Sequence, residues 1–159
     1  MEKLIHLDEN VVHLHVLAED SEDIIATLSE GLKRHQYVKE SFLLSILERE
    51  KVFPTGLPLA TMGVAIPHTD PEHVIRPMIS VAVLENPVEF IVMGSENTKV
   101  SVEIVLMLAI SDPAKQLSLL EKLMSVFQND AAMSQLKNAV SAKELVEILD
   151  KELNQISVE

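Results

Sequence analysis

Apolar and polar positions alternate from Val11 to Val16, with Val12, Leu14 and Val16 on one face and His13 and His15 on the other. That period of two predicts a strand buried on one side. After Asp20, a residue type suited to capping a helix, the spacing becomes helical: Ile24, Ile25, Leu28 and Leu32 form one stripe running to about His35. Phe42, Leu43, Ile46 and Leu47 repeat the spacing and predict a second helix over roughly Lys39 to Lys51.

From Val52 to Pro77 the pattern is broken by Pro54, Gly56, Pro58, Gly63, Pro67 and Pro71. A punctuated stretch of that length inside a regular domain is usually functional or disordered. Within it, Met62 to Ile66 is apolar enough for a short strand. Further strands are expected at Ile79 to Leu84 and Val100 to Ile110. Asp112-Pro113 joins a capping carboxylate to a proline at the first helical position, a strong helix start. That helix is expected to reach about Gln128, with a short one over Ala131 to Asn138. A last helix should begin after Ser141, with Glu144 as its capping-box partner. The four glycines, at 31, 56, 63 and 94, each fall where a turn is plausible. Strands interleaved with helices predict an α/β fold, a single-domain sandwich over residues 1–159 with a mixed sheet and helices on both faces.

Composition narrows the function more than the fold. The chain has 159 residues, enough for one domain, and no cysteine, so it holds no disulfide, thiolate zinc site or thiol nucleophile. A net charge of −12 opposes binding to nucleic acid or an anionic membrane, and favours a protein partner with a basic face. The longest apolar run, Ile104 to Ile110, is far too short for a bilayer span. The opening residues MEKLIHLDEN lack the charged-then-apolar pattern of a signal peptide. A soluble, cytoplasmic protein is expected.

Candidate chemistry concentrates in VAIPHTDPEH, Val64 to His73. Pro67 fixes its own φ and holds Ile66 extended, so His68 leaves a strand end at a defined angle before Asp70-Pro71 turns the chain. Imidazole near its ordinary pKa keeps a lone pair for nucleophilic work at neutral pH. The competing reading is a hydrogen-bonded turn histidine. Arg49, in LEREKVFPTG, offers a planar fork for an anion or is an ordinary cation at a helix C-terminus. Gln116, in ISDPAKQL, sits near a helix N-terminus suited to anions, or is a surface glutamine.

LEREKVFPTG, then GVAIPHTD, then DPAKQLSLLEKLMSVFQND resemble, in order and spacing, the IIA component of the bacterial phosphoenolpyruvate-dependent sugar phosphotransferase system, fructose/mannitol type. The resemblance runs from about Ile5 to Leu153. It implies that His68 carries a phosphoryl group, with Arg49 beside it as electrostatic stabiliser and Thr55 and Gln116 as hydrogen-bond donors. Many members have a second histidine where this chain has Gln116; the glutamine, with FPTG, is more similar to galactitol-type members. An amide cannot take up a proton at neutral pH, so Gln116 could only orient His68 or donate to a phosphoryl oxygen.

The implied partners are the phosphocarrier HPr as donor and a cysteine of a IIB component as acceptor, with the IIC permease acting indirectly. Because this chain lacks cysteine, the IIB site must lie elsewhere. By the same analogy Nε2 of His68 takes the phosphoryl group, Nδ1 being protonated and held by a carbonyl or carboxylate. No cofactor or metal is required. Met62, Val64, Ile75 and Met78 are candidates for an apolar rim that excludes water, or for core. Other readings are a regulatory module signalling through His68, a metal-dependent hydrolase using His68, Asp70 and His73, and a metal pair at His13 and His15.

Overall fold

The seven-residue apolar run is explained by its place at the centre of the sheet. In the computed structural model, which describes residues 4–154, five strands are ordered β1-β4-β5-β3-β2. They are β1 (Val12–Val16), β2 (Gly56–Pro58), β3 (Gly63–Ala65), β4 (Met78–Ile91) and β5 (Lys99–Ala109). The sheet is mixed: β1 runs parallel to β4 and β3 to β5, while β4/β5 and β2/β3 are antiparallel. With neighbours on both sides and helices on both faces, β5 carries apolar residues at successive positions.

The helices are α1 (Ser21–Arg34), α2 (Phe42–Val52), α3 (Pro113–Phe127), α4 (Asp130–Lys137) and α5 (Ala142–Asn154). Helices α1 and α2 cover one face, burying Ile24, Leu28, Phe42 and Ile46 against Ala82, Val105 and Met107. Helices α3, α4 and α5 cover the other with Leu119, Leu123, Met133, Leu145 and Leu149 against Ile79, Ile104 and Leu106. This is the expected α/β arrangement, a mixed sheet between two helical layers.

The caps form where the sequence places them. The Asp20 carboxylate accepts from the amide of Asp23 at 2.9 Å, and the Asp112 carboxylate from that of Ala114 at 3.0 Å. The Ser141 hydroxyl accepts from the Glu144 amide at 3.1 Å. Helix α2 starts at Phe42, later than predicted, because Lys39 and Glu40 are held in the preceding turn, with the Lys39 amide donating to the carbonyl of His73.

Other differences have local causes. Strand β4 runs on to Ile91, past the expected end at Leu84; its register with β5 shifts between Val83 and Val88, so the Glu85-Asn86-Pro87 break is absorbed as a bulge. Strand β2 lies among the punctuating prolines and was not expected. Of the glycines only Gly94, at φ 80, serves a turn that demands it. Gly31 lies inside α1, and Gly56 and Gly63 lie in strands where a neighbour comes close. A Cβ on Gly56 would meet the carbonyl oxygen of Ile91 at 2.6 Å, and one on Gly63 would overlap that of Ser101. His15, at φ 53, breaks the alternation of β1, so Val16 joins the α1/α2 face while Val12 and Leu14 pack on the other.

Candidate active site

Three elements meet at the end of β3: the β3 exit, the C-terminal half of α2, and the end of β5 leading into α3. Beyond Ala65 the chain stays beside β5, where the Leu108 amide donates to the Pro67 carbonyl at 2.9 Å and His68 makes an isolated parallel bridge to Leu108. His68 is thus at the C-terminal end of a parallel strand pair, the position where α/β sheets present ligand-binding groups. Its side chain is half-buried.

Nδ1 of His68 lies 2.8 Å from the carbonyl oxygen of Ile66. A carbonyl only accepts, so Nδ1 carries a proton, and in the neutral ring Nε2 is the nitrogen with the lone pair. The expectation that one ring nitrogen is held by a carbonyl is met, and within two residues of the histidine itself.

The segment after His68 is fastened to α2 at two points one helical turn apart. The hydroxyls of Thr69, which is buried, and Ser45 are 2.5 Å apart, and Arg49 Nη1 donates to the Asp70 carboxylate at 2.9 Å. Positions 45, 49 and 53 share one face of α2 and its end, and the Arg49 guanidinium also lies 5.1 Å from the Phe53 ring centroid. Arg49 Nε is buried and has no partner among the described residues. That nitrogen is closed to an incoming group, so any further donation from the guanidinium falls to its terminal N–H groups.

Thr55 is buried, and both its amide and its hydroxyl donate to the Glu50 carboxylate, each at 2.9 Å. The expected free donor is thus already engaged. Burial pushes the Glu50 carboxyl up to about 7, with the two Thr55 bonds pulling the other way. Gln116 lies one turn into α3, its backbone amide donating to the Asp112 carbonyl at 2.9 Å and its side chain half-buried.

The metal readings find no ligand set. Asp70 is paired with Arg49, and the His73 ring is bonded to the Ser41 hydroxyl at 2.7 Å. No group of three or more histidine, aspartate or glutamate side chains placed to hold a metal ion occurs among the described residues. His13 and His15 diverge at the bulge: His13 packs beneath α1 near Gly31, while His15 pairs with Glu85 at 3.2 Å on the surface. Of the proposed rim, Val64 and Met78 are core, Met62 is partly buried and Ile75 is 52% exposed. Sequence reasoning missed Ser45, Thr69 and above all Glu50. LEREKVFPTG contains Glu50, but only the fold shows that it turns back onto Thr55.

No helix among the described residues is long and apolar enough to cross a membrane. Residues 5–152 match the family described as phosphoenolpyruvate-dependent sugar phosphotransferase system, EIIA 2. The chain is 28% identical over 109 residues to the galactitol-specific EIIA component of Escherichia coli K12, covering 69% of this chain and 72% of that one. Its fold is similar to the crystal structure of IIA mannitol from Escherichia coli, with a TM-score of 0.75, 21% identity, and coverage of 91% and 99%. It is likewise similar to a chain in the complex of enzyme IIAMtl with phosphorylated enzyme IIBMtl from Escherichia coli, with a TM-score of 0.72, 22% identity, and coverage of 91% and 98%.

Proposed function

The chain belongs to the EIIA 2 family of the phosphoenolpyruvate-dependent sugar phosphotransferase system, and from that premise we propose that it relays a phosphoryl group through Nε2 of His68. The donor is the phosphohistidine of HPr and the acceptor a cysteine of a separate IIB component. The observation that carries this reading is the bond from Nδ1 of His68 to the carbonyl of Ile66, at 2.8 Å. It fixes the tautomer in which Nε2 is the free nucleophile and keeps the ring aimed as the reaction proceeds.

In the first step the Nε2 lone pair attacks phosphorus in line with the bond to the donor nitrogen. A new N–P bond forms as the old one breaks, and the donor ring leaves with the electron pair. No proton need move, because His68 keeps the one on Nδ1. Positive character then grows on the ring, and the Ile66 carbonyl stabilises it. Such a transfer asks of the protein mainly alignment and donors for the three equatorial oxygens. Arg49 supplies charge and free N–H groups, and the Gln116 amide offers a further donor. The second step reverses these roles toward the IIB thiolate.

Galactitol-type components are the proposed downstream partners, supported by Gln116, by FPTG and by the likeness to the galactitol-specific EIIA component. The test is labelling by phosphorylated HPr followed by addition of a purified IIB. Wild-type protein should take up one phosphoryl group and pass it on, faster to a galactitol-type IIB than to a mannitol-type one. His68→Ala should take up none while keeping its fold. Undiminished labelling of His68→Ala would move the nucleophile elsewhere.

A further inference from the structure

Glu50 sits in the last turn of α2, where the helix dipole disfavours negative charge, and its carboxyl is largely removed from water. Both features oppose an ionised group there. Lys51 and Glu22 line the same small cavity between α1, α2 and β4, yet Lys51 is directed to Glu22, at 3.8 Å, and gives Glu50 no counter-charge. The partner of Glu50 is Thr55, through both its amide and its hydroxyl.

That contact leads on to His68. The Thr55 carbonyl accepts from the amide of Ile66 at 3.3 Å, and the Ile66 carbonyl accepts from Nδ1 of His68 at 2.8 Å. Four hydrogen bonds therefore link the Glu50 carboxyl, through the backbones of Thr55 and Ile66 on separate segments, to the imidazole. We propose that Glu50 is a positioning residue for His68: by clamping the Thr55 backbone it fixes the Ile66 backbone, and so the tautomer and aim of the ring. This rests on the phosphoryl-relay reading of His68 only for its effect on rate; the effect on the ring itself does not depend on it.

The clamp is indifferent to the charge of Glu50. Ionised, the carboxylate accepts from both Thr55 groups. Protonated, its carbonyl oxygen still accepts from the amide while its O–H donates to the Thr55 hydroxyl. A glutamine could make the same two bonds, whereas an alanine could make neither.

The test compares Glu50→Ala, Glu50→Gln and Thr55→Val in the full-length, unphosphorylated protein by ¹⁵N NMR of the imidazoles, together with the rate of uptake from phosphorylated HPr. In the wild type, neutral His68 should be the Nδ1–H tautomer. In Glu50→Ala the Nε2–H form should become populated and uptake should fall about tenfold or more, since a misaimed reacting group is costly. Glu50→Gln should restore the tautomer and most of the rate. Thr55→Val, which removes only the hydroxyl bond, should fall between, losing about threefold. A folded Glu50→Ala with the wild-type tautomer and rate would overturn the proposal. If Glu50→Ala does not fold, an unchanged tautomer in Thr55→Val would overturn it. The tautomer is read without any phosphoryl donor. A wild type that accepts no phosphoryl group would therefore sink the relay reading and leave the Glu50 comparison intact.

Discussion

A histidine becomes a usable nucleophile when one nitrogen is relieved of its proton and the other is prevented from losing its own. At His68 the local backbone supplies the second condition, through a carbonyl two residues earlier that holds the proton on Nδ1 of the neutral ring. Arg49 is the charged group nearest in role. It is tied to Asp70 through one nitrogen, with Nε unpartnered. Arg49→Ala is expected to slow phosphoryl transfer by about 10- to 100-fold without weakening association with HPr. Rapid-quench transfer kinetics and a binding isotherm separate the two, and an unchanged rate would reduce Arg49 to a tether for Asp70.

Glu50 also leaves a mark on stability. Its carboxyl is raised in the fold to about 7 from an ordinary 4.5. Between those values the folded state binds more protons than the unfolded one, so the contribution is full below the lower value and is lost as pH rises through the higher. Burial lowers the pKa of His13, which works in the opposite sense and is lost as pH falls. Comparing wild type with Glu50→Gln removes the His13 contribution. Denaturant unfolding should show the wild type losing on the order of 1–3 kcal/mol relative to the variant between about pH 5 and about pH 8. Parallel curves would contradict the raised pKa. His68 and Arg49 were legible as candidates only through three motifs in order, local sequence leaving each a bland alternative. Glu50 was not, because its role exists only once the segment after α2 folds back.

The elements divide in the same way. Helix α3 could be read from Asp112-Pro113 because its start is decided by adjacent residues. Asp112→Ala should lower stability by about 1 kcal/mol through loss of the cap to the Ala114 amide. The length of β4 could not be read, since Glu85, Asn86 and Pro87 look like an ending and become a bulge only when β5 pairs on both sides of it. Strand β1 misled for a similar reason: the left-handed backbone at His15 sends Val16 to the opposite face, which no alternation reveals. Gly63 is more demanding than a turn glycine. Its missing Cβ lets β3 lie against the Ser101 carbonyl, so Gly63→Ala should cost about 2 kcal/mol or more and loosen β3 from β5. Thermal unfolding measures the first effect and amide exchange at Val64 and Ala65 the second. Because β3 delivers His68, uptake of the phosphoryl group should fall in the same variant.

Across the molecule, the mixed sheet and its two helical layers followed from strand and helix periods alone, and the net charge of −12 follows directly from composition. Charge of that size should steer a basic-faced donor. Raising salt from about 0.05 M to about 0.5 M should lower the association rate by about tenfold or more while changing dissociation less. Salt-independent association would leave the acidic surface without that role. In the proposed relay, the charge, the sheet end and the hydrogen-bonded ring all serve delivery of one nitrogen to a phosphoryl donor. Protein labelled with ¹⁵N in its histidine rings and phosphorylated by HPr should show a phosphorus–nitrogen coupling at Nε2 of His68, with Nδ1 still protonated. A coupling at Nδ1, or at any other residue, would contradict it.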